Sequence, residues 1–364
     1  MPVSGHLARR SAELVATFQD KPEMKLDVSP WLIFLVLGVI FIFGLAAFAI
    51  EYTYGCVVAT LAAVEDSNPD IYVRIDDQDP TKPSGPNDPE PELAGSARPK
   101  PITSGLRSTT KHLRARAGFW SRFRGLSMYL AFFFADVFLS LIFPIPTGSF
   151  FGQFFVQLFI NILLSTWQMA WVHIVISEPS PKRFYQRIPS YRKWIRIAPA
   201  VAFETLLTYA TFFLPMAVAQ FAGWTDVTED PNRPDVNARK ELIRFLSISA
   251  LPAILALAVS VPARVVFIRV AASMLPEEDE SIVPFDRSFG GKVQPEIVGG
   301  SGKIGLLDAW TTFDWNARVR FVKVVIKTAL MQAGVLILGM TLVFGVMIGL
   351  GPKGLSMAPA DGSA

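Results

Sequence analysis

Phe150 to Ile176, FFGQFFVQLFINILLSTWQMAWVHIVI, contains no Asp, Glu, Lys or Arg and is long enough to cross a bilayer as a helix. Polar residues nonetheless recur along it. Gln153, Gln157, Asn161, Ser165 and Gln168 follow one another at steps of four, four, four and three. On a continuous helix they share one stripe ~120° wide. The remaining faces carry Phe151, Phe154, Phe155, Leu158, Ile162 and Leu163. An unpaired amide in hydrocarbon is costly, so the stripe must face protein or water. Two arrangements meet that demand: a helix lining a hydrated path or ligand cavity, and a central helix whose amides bond to its neighbours in a packed bundle.

Five more runs have the length and apolarity of spans, at Trp31–Ile50 (with an extension past Glu51 and Gly55 to Val64), Leu126–Phe143, Ile197–Ala222, Phe245–Ile268 and Val324–Leu350. Of the 364 residues, 51% are hydrophobic and only 18% charged, against about 25% in soluble domains. A soluble enzyme is thereby excluded. The expected fold class is an all-α integral membrane protein, a bundle of about six transmembrane helices with a long disordered charged loop after the first. Its divisions are a polar segment 1–30, a first helix and extension 31–64, the loop 65–125, a five-helix region 126–350 and a tail 351–364. With Cys56 the sole cysteine, an intramolecular disulfide, a CxxC redox site and a cysteine zinc site are all excluded. His6, His112 and His173 are far apart in sequence, so neither a metal nor any other cofactor is expected.

The loop is segregated by charge. Glu51 to Glu92 holds ten acids and two bases, whereas Arg98 to Arg124 holds eight bases and no acid. Glu65 to Gly105 carries eight prolines and too little apolar surface to fold alone. The basic half ends in RARAGFWSRFRG, where Arg114 and Arg116 lead into Phe119, Trp120 and Phe123 interleaved with Arg122 and Arg124. Attached directly to a span, such a segment favours the headgroups of anionic lipid over nucleic acid. Ser177–Arg196 adds six bases against one acid, among them Lys182, Arg183, Arg187, Arg192 and Lys193, and is a second candidate surface for lipid or a protein partner. Counting Lys and Arg near the helix ends places both basic loops and the loop 271–320 in the cytosol, and both termini in the lumen or outside.

Four formal charges fall within the spans: Asp136, Glu204, Arg264 and Lys327. Residues of this kind are functional candidates by default. Glu204 is expected to pair with Arg264, beside a kink at Pro262, and Lys327 to snorkel. Asp136 either combines with the amides to form a polar site or is bonded by Gln157 or Asn161 of the next helix. The candidate intramembrane site therefore comprises Asp136, Gln153, Gln157, Asn161, Gln168, Glu204 and Arg264. Other motifs are weaker. GGSGKIG (299–305) departs from a phosphate loop at Ile297 and Ile304, and Gly345 and Gly349 form a GxxxG pair suited to close helix approach.

The string WVHIVISEPSPKRFYQRIPSYRKW, 171–194, resembles uncharacterised multi-pass membrane proteins of filamentous fungi, some of which carry the label "ubiquitin carrier protein". The resemblance covers mainly the third and fourth helices and the loop between them. Read literally, the label implies a soluble conjugating domain with a nucleophilic cysteine. This sequence departs from that, since Cys56 ends a span and no segment between helices is large enough for such a domain. The expected function is a non-enzymatic scaffold or assembly component with a basic cytosolic surface for lipid, a protein partner or a second copy of the chain. The alternative is a small-solute or ion transporter whose polar site lies on the second and third helices, which discontinuous helices at Pro215 or Pro252 would favour.

Overall fold

The structure is a computed structural model, and it describes residues 27–28, 30–66, 101–143, 150–221, 244, 246, 250–294 and 299–356. Its helices are α1 (Pro30–Ile50), α2 (Ala59–Val64), α3 (Leu106–Ala117), α4 (Leu126–Ile142), α5 (Phe150–Leu163), α6 (Ser165–Ile176), α7 (Tyr191–Phe221), α8 (Val261–Ser273), α9 (Leu306–Thr311) and α10 (Trp315–Gly354). Two wider π-helical segments, Glu51–Val58 and Ala256–Ser260, join α1 to α2 and lead into α8. Among the described residues five helices are long and apolar enough to cross a membrane: Pro30–Val64, Phe119–Ile142, Tyr191–Phe221, Ala250–Ser273 and Trp315–Gly349. A sixth is obtained if the bent pair α5 and α6 counts as one. The chain is thus a mainly helical membrane protein, and the extension of the first helix to Val64 is present.

Two compact units make up the chain. The first consists of residues 1–50 and 329–364. Within it, Gln332 on α10 donates through Nε2 to the Ala47 carbonyl of α1 at 3.0 Å. A Cβ placed on Gly339 would lie 3.1 Å from the Phe43 ring, so this glycine is what permits close approach there. Gly345 and Gly349, suited to close approach within the bundle or between protomers, do not provide it within this unit, since neither has an atom of the described residues within 4 Å of an added Cβ. Asp27–Val28 pairs antiparallel with Leu355–Ser356 at the open end of this unit.

The second unit, residues 51–328, contains the core. Tyr52, Leu61, Leu113, Met128, Met169, Ile176, Ile197, Phe267 and Phe313 are almost wholly buried together. Here the expected disordered loop needs correction over part of its length. Residues 67–100 lie outside the described residues, but Pro101 to Gly125 is folded, with Thr103, Thr109, Leu113 and Ser121 buried. The cause is Glu65. Its carboxylate is 2% exposed and accepts from the backbone N–H groups of Ile102 (2.5 Å) and Thr103 (2.9 Å) and from the Thr103 hydroxyl. Arg320 then donates to the Glu65 carbonyl at 2.8 Å. Composition alone misjudged the segment, because its stability comes from these distant partners rather than from its own apolar content.

The three segments expected on one side of the membrane also meet one another. Glu178 N–H donates to the Glu280 carbonyl (2.8 Å), Ile282 N–H to Ile176 (2.8 Å) and Asp66 N–H to Pro284 (3.0 Å). His112 Nε2 lies 2.9 Å from the Ile282 carbonyl. Residues 1–26 of the N-terminal segment, the turn 144–149, the acidic loop at 223–241 and the tail from 357 lie outside the described residues.

Candidate functional site

The most polar part of the bundle starts from a break. The stretch 150–176 was expected to be one continuous helix, but α5 and α6 meet at an angle of 56°. No proline causes the bend. Asn161 instead turns its side chain back on its own helix, donating through Nδ2 to the Gln157 carbonyl at 3.1 Å, and a Ser165–Thr166 pair follows at the junction. The Ile162 carbonyl, next to the break, is taken up by the Trp194 indole N–H of α7 at 2.8 Å.

The bend redistributes the amide stripe. Gln168 Nε2 reaches across it to Asn161 Oδ1 at 3.0 Å. Gln157 Nε2 donates to Asp136 Oδ1 on α4 at 2.7 Å, which is the bonded arrangement open to Asp136 from the sequence. Ser165 is fully buried, while Gln153, the first member of the stripe, is exposed and joins neither pair. A common stripe required unbroken helical phase, and the turn at Leu164 resets it.

Glu204 of α7 and Arg264 of α8 form the expected ion pair, with Arg264 Nη1 donating to Glu204 Oε1 at 3.0 Å. The guanidinium also lies over the rings of Phe267 (5.2 Å) and Trp171 (5.8 Å). Arg264 comes one turn after the π-helical segment, and Pro262 lies at the junction of that segment with α8. The α7 helix itself runs unbroken through Pro199 and Pro215.

These groups line a cavity of about 330 Å³. Asn161, Gln168, Glu204 and Arg264 all face it, so four of the seven candidate residues converge there; Asp136, Gln153 and Gln157 do not line it. Every lining residue belongs to a candidate span. Sequence reasoning missed Cys56, Tyr129, Phe132, Trp171, Thr205, Thr208 and Tyr209, which complete the wall. A signal existed for Thr205, Thr208 and Tyr209, which follow Glu204 at helical spacing; none existed for Cys56, whose orientation depends on the π-helical turn. In chemical terms the cavity offers one anion, one cation, hydroxyls, amides and aromatic faces, a set suited to binding a small polar molecule.

The basic candidates divide. Arg114, Arg116, Arg122, Lys182, Arg183 and Arg192 are exposed and Lys193 is half-buried. Phe119 and Trp120 stand beside them, 54% and 73% exposed, with Arg114 and Arg122 each over the Phe119 ring. Arg124 and Arg187 are a correction, since neither is available to a lipid or partner. Arg124 donates to the carbonyls of Ile174 (3.1 Å) and Ser177, and Arg187, with a side chain 7% exposed, donates to Ser177 Oγ (2.9 Å) and sits 3.4 Å from Asp279. Positive charge near a helix end attracts folded partners as readily as headgroups, and sequence does not distinguish the two. His173 is likewise structural, buried with Nε2 at 2.8 Å from the Ala271 carbonyl.

A second cavity, of about 320 Å³, is lined by Glu65, Asp66, Asp286 and Asp314 around Arg269. Arg269 there ties α8 to the Ala63 carbonyl (3.1 Å) and to Thr312 (3.0 Å to Oγ1), with Phe289 and Phe313 against its guanidinium. No group of three or more His, Cys, Asp or Glu able to hold a metal occurs among the described residues. No protein-family model matches the chain, and no curated protein matches it either.

Proposed function

We propose that the chain is a membrane-embedded carrier of a small polar solute, with its binding site at the Glu204–Arg264 pair rather than at the amide stripe. The observation behind this reading is the placement of that pair: two opposite charges on α7 and α8, within candidate spans, bordering a cavity of about 330 Å³ instead of being packed over on all sides. Ion pairs retained within apolar spans without a ligand to meet them are expensive. Breaks cluster around the cavity as well. The bend at Leu164 and the π-helical turns Glu51–Val58 and Ala256–Ser260 all lie in elements that line it or lead directly into it, and such irregular turns accompany functional sites in membrane helices.

A second reading, the scaffold, is favoured by a different observation. Asp136 with Gln157, and Asn161 with Gln168, are bonded to each other, as polar groups are when they hold a bundle together. On this reading the exposed Arg114, Arg116, Arg122, Lys182, Arg183 and Arg192 hold anionic lipid or a protein partner.

Cys56 separates the two readings because it lines the cavity and is the only thiol in the chain. A small hydrophilic methanethiosulfonate reagent applied to the folded protein in proteoliposomes, read by intact mass, should modify Cys56. Modification only after unfolding would mean that the cavity is closed to water, leaving the scaffold.

A further inference from the structure

Resting on the carrier reading, we infer that the solute is a zwitterion of amino-acid size with an apolar body. Arg264 spends one of its nitrogens, Nη1, on Glu204. Its side chain remains 36% exposed, and among the described residues Nε and Nη2 make no further hydrogen bond. A guanidinium presents paired donors in one plane, the geometry that a carboxylate accepts with both oxygens. Glu204 is less open, with its side chain 14% exposed, and its second oxygen, Oε2, is left over from the contact at Oε1. The site therefore presents a cationic fork and a carboxylate oxygen side by side.

Net charge narrows the class further. Arg264 and Glu204 cancel, and the other lining residues are neutral side chains. A ligand with net charge would leave that charge uncompensated in a region of low dielectric, whereas one carrying both signs adds no net charge and pairs each sign locally. The aromatic lining gives the rest of the ligand its character. Tyr129, Phe132, Trp171 and Tyr209 supply aromatic surface, so the part of the ligand beyond its charged end is apolar. The cavity volume lies at the small end of known ligand sites, which suits a molecule of amino-acid size and excludes dinucleotides and large cofactors.

Protection of Cys56 from the same thiol reagent tests this without any substitution, using the full-length protein and three probes that share one skeleton. L-phenylalanine carries both charges, 3-phenylpropanoate only the carboxylate, and phenethylamine only the ammonium. Phenylalanine should slow modification of Cys56 at least tenfold at saturation, with the two single-charge analogues giving less than twofold. Equal protection by 3-phenylpropanoate would overturn the zwitterion, reducing the site to an anion site on Arg264. A reactive Cys56 that none of the three protects would also overturn it while leaving the carrier reading in place. A Cys56 that never reacts removes that reading itself. A fourth probe, glycerophosphoethanolamine, separates a free solute from a lipid headgroup of the same charge pattern: protection by it and not by phenylalanine would overturn the free solute. Arg264→Lys, which keeps the charge and loses the fork, should weaken phenylalanine protection at least tenfold while leaving Cys56 reactive.

Discussion

Asp136 and Glu204 are both carboxylates inside candidate spans, yet their partners differ in kind. Asp136 accepts a hydrogen bond from a neutral amide, Gln157, whereas Glu204 accepts one from a cation and borders a cavity. Their substitutions should therefore separate stability from binding. Replacing Gln157 with Leu removes a neutral interhelical bond and should cost about 1 kcal/mol in a detergent melting curve, with no effect on Cys56 reactivity. Glu204→Gln and Arg264→Gln should each cost about 1.5–3 kcal/mol, because each leaves a charge without its partner. The double substitution should cost less than the two added together, since it removes the orphan as well as the bond. Strict additivity would mean that the 3.0 Å contact has no energetic weight.

The element that most changes the reading of the chain is the broken pair α5 and α6. Its break leaves identifiable groups behind: among the described residues Ser165 Oγ is buried without a hydrogen-bond partner, and the Ile162 carbonyl accepts from the Trp194 indole. Ser165→Ala should therefore leave thermal stability unchanged or raise it, as it removes a buried hydroxyl that nothing satisfies, while Trp194→Phe should lower it by about 1 kcal/mol. A loss of stability on Ser165→Ala would show that the hydroxyl holds the bend. The turn 286–290, outside the spans, adds a pH dependence. Partial burial pushes the Asp286 carboxyl up, but three hydrogen bonds, from the Gly290 N–H and from the Ser288 hydroxyl and N–H, outweigh this and hold it below the usual carboxylate range. A carboxyl with a depressed folded value stabilises the fold above its ordinary unfolded value, near about 3.9, and that contribution fades as pH falls through the folded one. The melting difference between wild type and Asp286→Asn should hence be constant from neutral pH to about pH 5 and shrink below about pH 4. A difference that grew on acidification would contradict the assignment.

At the scale of the whole chain, the charge count makes one further prediction. A protease site near Pro86 should be cleaved from the cytosol, while one after Ala364 should be protected in sealed microsomes. The reverse result would invert the orientation, and accessibility at both would require an even number of crossings between them. The contacts among residues 65–125, 177–196 and 271–320 bear on a related matter. Segments that bond one another through Glu178 and Glu280, or through His112 and Ile282, share one end of the second unit.

Residue chemistry alone was enough to point to a membrane protein with about six apolar runs and an ion pair between Glu204 and Arg264, and to narrow the bonded arrangement of Asp136 to Gln157 or Asn161, of which the structure selects Gln157. Each follows from a local rule: length against bilayer thickness, or the cost of a lone charge or amide in hydrocarbon. Three features were decided only by tertiary structure. Pro101–Gly125 folds because the Glu65 carboxylate, distant in sequence, accepts from the Ile102 and Thr103 N–H groups, with Glu65 itself held at its carbonyl by Arg320. The amide stripe divides because a turn at Leu164 resets helical phase, and periodicity presumes unbroken phase. Cys56, Tyr129 and Tyr209 come to one cavity with Arg264 because helix packing, and the wider turn at Glu51–Val58, set which way each side chain points. No pattern within a single helix carries that information, since it depends on the relative rotation of neighbouring helices.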